Sequence, residues 1–519
     1  MADINVNNLT FAYEGSYDNI FDNVSFSINT DWRLGFIGRN GKGKTTFLNL
    51  LLGKYSYTGT ITSKAVFDYF PYHVSDTELY KTADELMSSW KIGVETWRVM
   101  CELPALAIDA ELLYRPFSTL SFGERNKIML AVLFSGDNDF LLIDEPTNHL
   151  DIGAREIIKN YLKSKKGFIL VSHDRDLLDA CIDHVLVLNK ESIEVQTGNF
   201  SSWWENKERA DNYAKMENEK HLSEISKLKK ASDRSRRWAD KNEDTKIGYD
   251  PIKEHDRCMG TRSYIGAKTK KMQARVKSYE TRINREIEEK EGLLKDIESV
   301  CELQIVPKKY YKERLLSLRD FSLKYNDADK PAVSGITFEI NQGDRLFIRG
   351  DNGCGKSSII KAILQQAGHA DSTSAINKNI ADISATFTTS GTLEVASNII
   401  ISYINQDTSH LKGNLRDYAK MYGLDYTMLL TLLRKLDLER VQFEKNIETY
   451  SEGQKKKLLI ASSLITSAHL YIWDEPFNYI DIFSRMQIEK LIKQYKPTML
   501  IVEHDVRFTE EIATKKIQL

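Results

Sequence analysis

Apolar and polar residues alternate along Leu9–Tyr13 and Val24–Ile28, the period of half-buried strands. Short unbroken apolar runs at Leu34–Ile37, Phe140–Ile143 and Gly167–Val171 predict further strands, and Phe47–Leu52 predicts a helix. The middle of the chain changes period. Trp203–Asp240 consists of good helix formers without Pro or Gly, with apolar residues at Tyr213, Met216, Leu222, Ile225 and Leu228. Lys241–Arg262 breaks the pattern with Gly248, Pro251 and Gly260. From Ser263 to Ser299 a helix resumes, with Val276, Tyr279, Ile283, Ile287, Leu294 and Ile297 at near-heptad spacing. Two helices of about 35 residues, each roughly 50 Å long, predict a hairpin.

At about 150 residues per domain, the 519-residue chain suggests about three domains. A hydrophobic content of 41% and an aromatic content of 10% suffice for packed cores and exclude a disordered chain. No apolar run approaches the roughly 18–20 residues that cross a bilayer. The opening MADINVNNLT has neither the basic nor the apolar region of a signal peptide, so a cytoplasmic protein is expected. Cys101, Cys181, Cys258, Cys301 and Cys354 are scattered without a CxxC pair, which argues against iron–sulfur ligation and for a reducing compartment. Charge is distributed unevenly. Lys227–Arg285 holds roughly eighteen Lys and Arg against about eight Asp and Glu, leaving the rest near −12 in a chain of net −2. A basic spoke in an acidic body suggests an anionic partner.

The apolar run ending at Ile37 leads into Gly38-Arg39-Asn40-Gly41-Lys42-Gly43-Lys44-Thr45-Thr46, a complete phosphate loop between a strand and a helix. Its glycines let backbone N–H groups curl around phosphates, the helix N-terminus adds its positive end, Lys44 adds a point charge, and the Thr45 hydroxyl can ligate Mg²⁺. Leu120-Ser121-Phe122-Gly123-Glu124 precedes a helical run. Phe140–Ile143 then ends in Asp144-Glu145, where Asp144 is suited to Mg²⁺ and Glu145 to orienting or deprotonating a water. Gly167–Val171 ends at Ser172-His173, which places a histidine where it can reach a terminal phosphate.

The second half repeats this set. Tyr325 precedes Gly350 by the same interval as Tyr13 precedes Gly38. The second loop is Gly350-Asp351-Asn352-Gly353-Cys354-Gly355-Lys356-Ser357-Ser358. It is followed by Tyr450-Ser451-Glu452-Gly453-Gln454, by Asp474-Glu475 and by His504. Tyr13 and Tyr325 are candidates to stack on a nucleotide base.

These motifs, which span nearly all of both halves, resemble the ATP-binding cassette superfamily. The fold class implied is α/β: two P-loop NTPase domains in tandem, joined by a long α-helical hairpin linker. The expected boundaries are residues 1–200, 201–302 with a tip near 241–262, and 303–519. In that superfamily two cassettes pair head to tail, so the resemblance pairs Lys44, Thr45, Asp144, Glu145 and His173 with Ser451 and Gly453. It pairs Lys356, Ser357, Asp474, Glu475 and His504 with Ser121 and Gly123. ATP and Mg²⁺ are the implied cofactors, the metal falling to Thr45, Asp144, Ser357, Asp474 and Gln406. Departures stand out at Phe122 and Glu452, where the superfamily has glycine, and at Tyr72, where Gln406 has no counterpart. Glu452 brings a carboxylate near the phosphates unless it faces away. The acidic motif reads Thr147-Asn148-His149 in one half and Phe477-Asn478-Tyr479 in the other. Two unequal ATPase sites are expected.

Soluble paired cassettes joined by a basic hairpin look like the ABC-F class, whose members act on ribosomes. Tyr264–Met272 is similar to the post-tip helix of its antibiotic-resistance members (Vga-, Lsa- and Msr-like). The nearly equal stretches Tyr72–Ser121 and Gln406–Ser451 leave no room for the inserted arm of the housekeeping members. The resemblance thus implies a monomer on the 70S ribosome, touching 23S rRNA and P-site tRNA and neither membrane nor DNA. Lys246, Ile247, Tyr249, Ile252 and His255 of its tip would approach the peptidyl-transferase centre, against lincosamides, pleuromutilins or streptogramin A. A housekeeping factor for stalled ribosomes and the ATPase subunit of an exporter remain as alternatives.

Overall fold

The computed structural model describes residues 3–14, 19–136, 139–148, 150–188, 193–244, 270–271, 274–279, 281–283, 285–286, 303–326, 330–370 and 387–519. Met1–Trp203 and Val300–Leu519 make one unit, and Trp204–Ser299 a second.

The first unit contains one architecture twice. Strands β1 (Asp3–Phe11), β2 (Phe21–Asn29) and β4 (Thr58–Thr62) form an antiparallel sheet ordered β2-β1-β4. Strands β3 (Arg33–Ile37), β5 (Val66–Phe70), β6 (Asp139–Asp144), β7 (Phe168–Val171), β8 (His184–Leu188) and β9 (Ile193–Thr197) form a second sheet ordered β5-β6-β7-β3-β8-β9. It is parallel up to its antiparallel β8–β9 edge. The other cassette repeats both sheets. Strands β10 (Arg314–Tyr325), β11 (Val333–Asn341) and β13 (Phe387–Val395) run β11-β10-β13. Strands β12 (Arg345–Arg349), β14 (Ile401–Ile404), β15 (Leu470–Asp474), β16 (Met499–Val502) and β17 (Lys515–Gln518) run β14-β15-β16-β12-β17, all parallel.

The local reasons are readable in the chain. Every residue of β7 and β16 is buried, which is why these parallel strands are unbroken apolar runs. The outer strands alternate instead, β1 burying Ile4, Val6, Leu9 and Phe11. It starts earlier than the Leu9–Tyr13 alternation predicts and stops before Tyr13. A bulge causes this, because Asn8 at φ 49° shifts the register between Val6 and Leu9. Asp320 at φ 48° does the same in β10. Only glycine fits across each bulge: a Cβ on Gly59 would lie 2.4 Å from the Asn8 carbonyl oxygen, and one on Gly391 2.3 Å from that of Asp320.

The linker begins as a long helix, Phe200–Asp244, that extends beyond Trp203–Asp240 at both ends. The Asn199 side chain accepts the Ser202 amide at 3.0 Å and starts the helix early. Residues 274–279 and 281–283 are helical again, and Ile225 and Ile283 pack together with Leu228 beside them. Among the described residues the apolar stripe is narrower than its spacing suggested, since Tyr213, Met216, Leu222 and Tyr279 are exposed; Ile287, Leu294 and Ile297 lie outside the described residues. Two lone helices bury only the seam between them. The tip residues Lys246, Ile247, Tyr249, Ile252 and His255 lie outside the described residues. Among the described residues no helix is long and apolar enough to cross a membrane.

Ile283 is 2% exposed, and its replacement by Ala should cost the hairpin roughly 2–4 kcal/mol. Hydrogen exchange should show amides around Ile225 opening at least about tenfold more often, with cassette amides unchanged.

Candidate active sites

The first site is built where β3 passes into helix α1 (Lys44–Leu51). Lys44 Nζ donates to the Gly38 carbonyl (2.6 Å), the Arg39 carbonyl (3.2 Å) and Asn40 Oδ1 (3.3 Å), so the loop is wrapped around its ammonium group. Burial lowers the Lys44 pKa, against Asp481, Glu145 and Asp144, which raise it. Thr45 Oγ1 donates to Asp144 Oδ2 at 3.0 Å, and the Tyr69 hydroxyl donates to the same oxygen at 3.2 Å. Glu145 follows at φ 49°, a left-handed backbone that turns the chain off the end of β6. Its amide is held by the Val171 carbonyl at 2.9 Å. His173 Nε2 stands 3.3 Å from Glu145 Oε1. Burial, then Asp144, pushes the Glu145 carboxyl up to about 8. Burial, then Lys44 and Arg485, holds His173 well below its usual range.

The second site has the same plan with different supports. Lys356 Nζ donates to the Gly350 carbonyl (2.9 Å) and the Asp351 carbonyl (2.8 Å), and Ser357 stands where it favours the ionised Asp474 carboxylate. Glu475 repeats the left-handed turn at φ 46°, with its amide on the Val502 carbonyl at 3.0 Å. Gln406 Nε2 and Asn478 Nδ2 each donate to Glu475 Oε2 at 2.8 Å, and His504 Nε2 lies 3.5 Å from Oε1. Burial alone would raise Glu475, but His504, Asn478 and Lys356 outweigh it and bring its pKa below the usual value. Burial raises Asp474 to about 6. Burial thus dominates at Glu145, whereas neighbouring donors and cations dominate at Glu475.

Both tyrosines stand beside their loops. The Tyr13 hydroxyl is 2.8 Å from Thr46 Oγ1, and that of Tyr325 is 2.8 Å from Ser358 Oγ. Tyr13 is also edge-on to Tyr55, with centroids 5.7 Å apart.

Residues of opposite cassettes meet at both sites. A cavity of about 510 Å³ is lined by Asn352, Gly353, Gly355, Lys356, Ser357, Ser358, Gln406, Glu475, Asn478 and His504, and by Phe122 and Arg155 from the first cassette. At the other site, Asn40 Nδ2 donates to the Tyr479 carbonyl at 2.8 Å beside Gly453. Ser121 and Ser451 are helix N-caps, each in a reciprocal box with the residue three positions on. The free amides of those helix ends suit an anion.

The departures from the expected motifs resolve in physical terms. Glu452 faces away from the phosphate loops, since its carboxylate accepts from Thr408 Oγ1 (2.6 Å) and Lys455 Nζ (2.9 Å). Tyr72 also turns away, bonded to Asp68 Oδ2 at 2.7 Å and stacked on Trp90. Phe122 lines the second cavity. His149 lies outside the described residues.

Several residues at the sites escaped the motif reading. Tyr69 braces Asp144, and Lys457 forms a 2.8 Å pair with Asp481, their side chains 4% and 0% exposed. Arg485 donates to the Ile480 carbonyl (2.9 Å) and the Phe477 carbonyl (2.8 Å), and Arg155 to the Leu150 carbonyl (3.0 Å). Arg155 and Arg485 stand at matching offsets after Asp144 and Asp474, a signal available in the repeat itself.

The donor set fits ATP with Mg²⁺. Each loop offers a lysine, a helix N-terminus and a hydroxyl next to a buried aspartate. Among the described residues Asp474 Oδ1 is buried without a hydrogen-bond partner, and Glu145 Oε1 has His173 Nε2 at 3.3 Å without a hydrogen bond between them. A buried carboxylate oxygen without a donor is costly, and a cation or its bound water relieves it.

Comparison with known proteins agrees with this geometry. The ABC transporter family profile matches residues 21–148 and 333–478. The chain is 26% identical to the ribosome protection protein VmlR of Bacillus subtilis (strain 168), over 98% of this chain and 85% of that protein. It is 25% identical to the ATP-binding protein Uup of Buchnera aphidicola subsp. Acyrthosiphon pisum (strain APS), over 99% of this chain and 80% of the other. Among solved structures, the archaeal ribosome recycling factor aABCE1 shares the fold at TM-score 0.57 and 18% identity, covering 96% of this chain and 84% of its own.

The two signature glycines should respond oppositely to substitution. A Cβ on Gly453 would sit 2.7 Å from the Tyr479 carbonyl oxygen, whereas one on Gly123 meets nothing closer than 3.7 Å. Gly453→Ala should destabilise by about 1–3 kcal/mol, and Gly123→Ala should stabilise by about 0.4–1 kcal/mol, in urea unfolding of the full chain.

Proposed function

We propose, from the premise that this chain belongs to the ABC transporter family and is an ABC-F ATPase using ATP with Mg²⁺, that it is a ribosomal protection protein. In this reading it works in the cytoplasm as a monomer. Closure of its two cassettes on ATP fits its hairpin into the exit-site region of the 70S ribosome, against 23S rRNA and P-site tRNA. The hairpin tip displaces drugs of the peptidyl-transferase centre, with lincosamides, pleuromutilins and streptogramin A as the classes affected.

The observation that carries this reading is the hairpin's surface. Lys227, Lys229, Lys230, Arg234 and Arg237 on the helix Phe200–Asp244 are exposed, as are Lys270, Lys271, Arg275, Lys277, Arg282 and Arg285 on the returning helix. A rod with cations on both helices suits the phosphates of folded RNA. The likeness to a relative named as a ribosome protection protein, over 98% of this chain, supports the same choice. An exporter subunit would leave these cations without a role.

The ATPase assignments follow the geometry. Lys44 and Lys356 bind phosphate oxygens, and the Ser121 and Ser451 helix ends bind the terminal phosphate from across the cassette boundary. Asp144 and Asp474, with Thr45, Ser357 and Gln406, would hold Mg²⁺, which offsets charge on the β- and γ-phosphate oxygens. Glu145 and Glu475 orient the attacking water and take its proton as the bond to the ADP oxygen breaks. His173 and His504, beside those glutamates, reach the γ-phosphate. Glu475 is held ionised by its donors and is ready as a base, whereas buried Glu145 depends on the charges brought to it by ligand binding.

Two outcomes check the proposal. Glu145→Gln combined with Glu475→Gln should sediment with 70S ribosomes in the presence of ATP, and failure to trap that complex sinks the cycle. Replacing Lys246–His255 with a short Gly/Ser turn should keep ATPase activity and abolish drug tolerance in a sensitive bacterium. Stable trapping without any change in drug tolerance would point to a factor for stalled ribosomes instead.

A further inference from the structure

The first phosphate loop is held from the opposite cassette by two ion pairs whose cations the second loop does not carry. Arg39 pairs with Asp437 of the other cassette, the two side chains being 17% and 28% exposed. Its guanidinium also lies 5.9 Å from the centre of the Phe483 ring. Lys42 Nζ is 3.5 Å from Glu439 Oε1, and Asn40 donates to the Tyr479 carbonyl between them. Three polar residues of one loop, Arg39, Asn40 and Lys42, are thus tied to the opposite cassette through protein atoms alone.

Asp437 and Glu439 lie on a tight turn after the helix Tyr426–Lys435. Asp437 has φ 61°, its amide bonds the Arg434 carbonyl, and the Leu438 amide bonds the Leu433 carbonyl. The first cassette makes the same turn. There Ala107 has φ 51°, its amide bonds the Pro104 carbonyl, and the Ile108 amide bonds the Leu103 carbonyl. The turn is duplicated but its ion pairs are not. Ala107 and Asp109 stand where the second cassette has Asp437 and Glu439, and Asp351 and Cys354 stand where the first loop has Arg39 and Lys42. None of these four can form an attractive ion pair with its counterpart, because no cation remains on either side.

We propose that Asp437 and Glu439 are positioning residues for the first ATP site alone, clamping the Gly38–Lys44 loop against the second cassette's signature helix. The first site consequently releases nucleotide slowly, and the second, lacking the clamp, is the one that opens and reloads. Two loop cations drawn outward by carboxylates also leave Lys44 as the loop's inward charge. This inference rests on the ATP chemistry of both sites and is independent of the ribosomal reading.

The test measures dissociation of a methylanthraniloyl-labelled ADP with Mg²⁺ from the full chain. Lys356→Ala confines the signal to the first site, and Lys44→Ala confines it to the second. Asp437→Ala with Glu439→Ala should speed release from the first site by about three- to tenfold, as expected of partly exposed ion pairs, and leave the second unchanged. Added salt should speed first-site release in the chain with both acids and have little effect once they are removed. Exchanging the charges, Arg39→Asp with Asp437→Arg, should restore slow release. Equal acceleration at both sites would mean general loosening and would overturn the clamp. So would unchanged release from the first site, or failure of the exchanged pair to restore it.

Discussion

Two carboxylates at the buried end of a parallel strand need cations, and much of this molecule is arranged to bring them there. Asp144 and Glu145 end β6, Asp474 and Glu475 end β15, and burial pushes against ionisation of all four. A lone cassette offers one loop lysine and a few hydroxyl and amide donors. Further positive charge at the first site comes from the other half, where Arg485 acts on both Glu145 and His173. The metal and the phosphates complete a site whose charges belong to two cassettes, so duplication and face-to-face pairing follow from the electrostatics of the reaction.

The same constraint is met differently on the two sides. Glu475 is surrounded by Gln406, Asn478 and His504, three side chains that favour its charge. Glu145 lacks a counterpart of Gln406, because Tyr72 is turned onto Asp68 and Trp90, and the nearby hydroxyl of Tyr69 goes to Asp144 instead. Charge outside the sites is uneven too, since Arg39 and Lys42 meet acids of the opposite cassette, whereas the second loop has Asp351 and Cys354 at those positions.

The hairpin contributes little to packing and much to the surface. Ile225, Ile283 and Leu228 are enough to register the two helices, and the cations face solvent. Apolar side chains left outside the seam, such as Tyr213 and Met216, add exposed area along the same rod. Such a rod is stiff along its axis, as α-helices are, and its broad charge binds polyanions with little regard to sequence.

Much of this was written in the chain order. Phosphate loops, signature serines, strand-end acids and the two histidines have fixed spacings, because each sits at the end of a regular element, and the repeat places every one twice. The direction in which a side chain leaves that position is a different matter. Glu452 could have faced the phosphates and instead accepts from Thr408, a residue far from it in sequence. Tyr72 stacks on Trp90 and bonds Asp68, while Tyr69, three residues earlier, reaches Asp144. Arg155 and Arg485 act across the cassette boundary, and the pairing of Arg39 with Asp437 joins residues hundreds of positions apart. Sequence by itself determined which chemistry the chain carries and that it carries it twice, since motifs are local. Only the tertiary structure decided which partners complete each site and how the two differ, because those contacts depend on where distant elements pack.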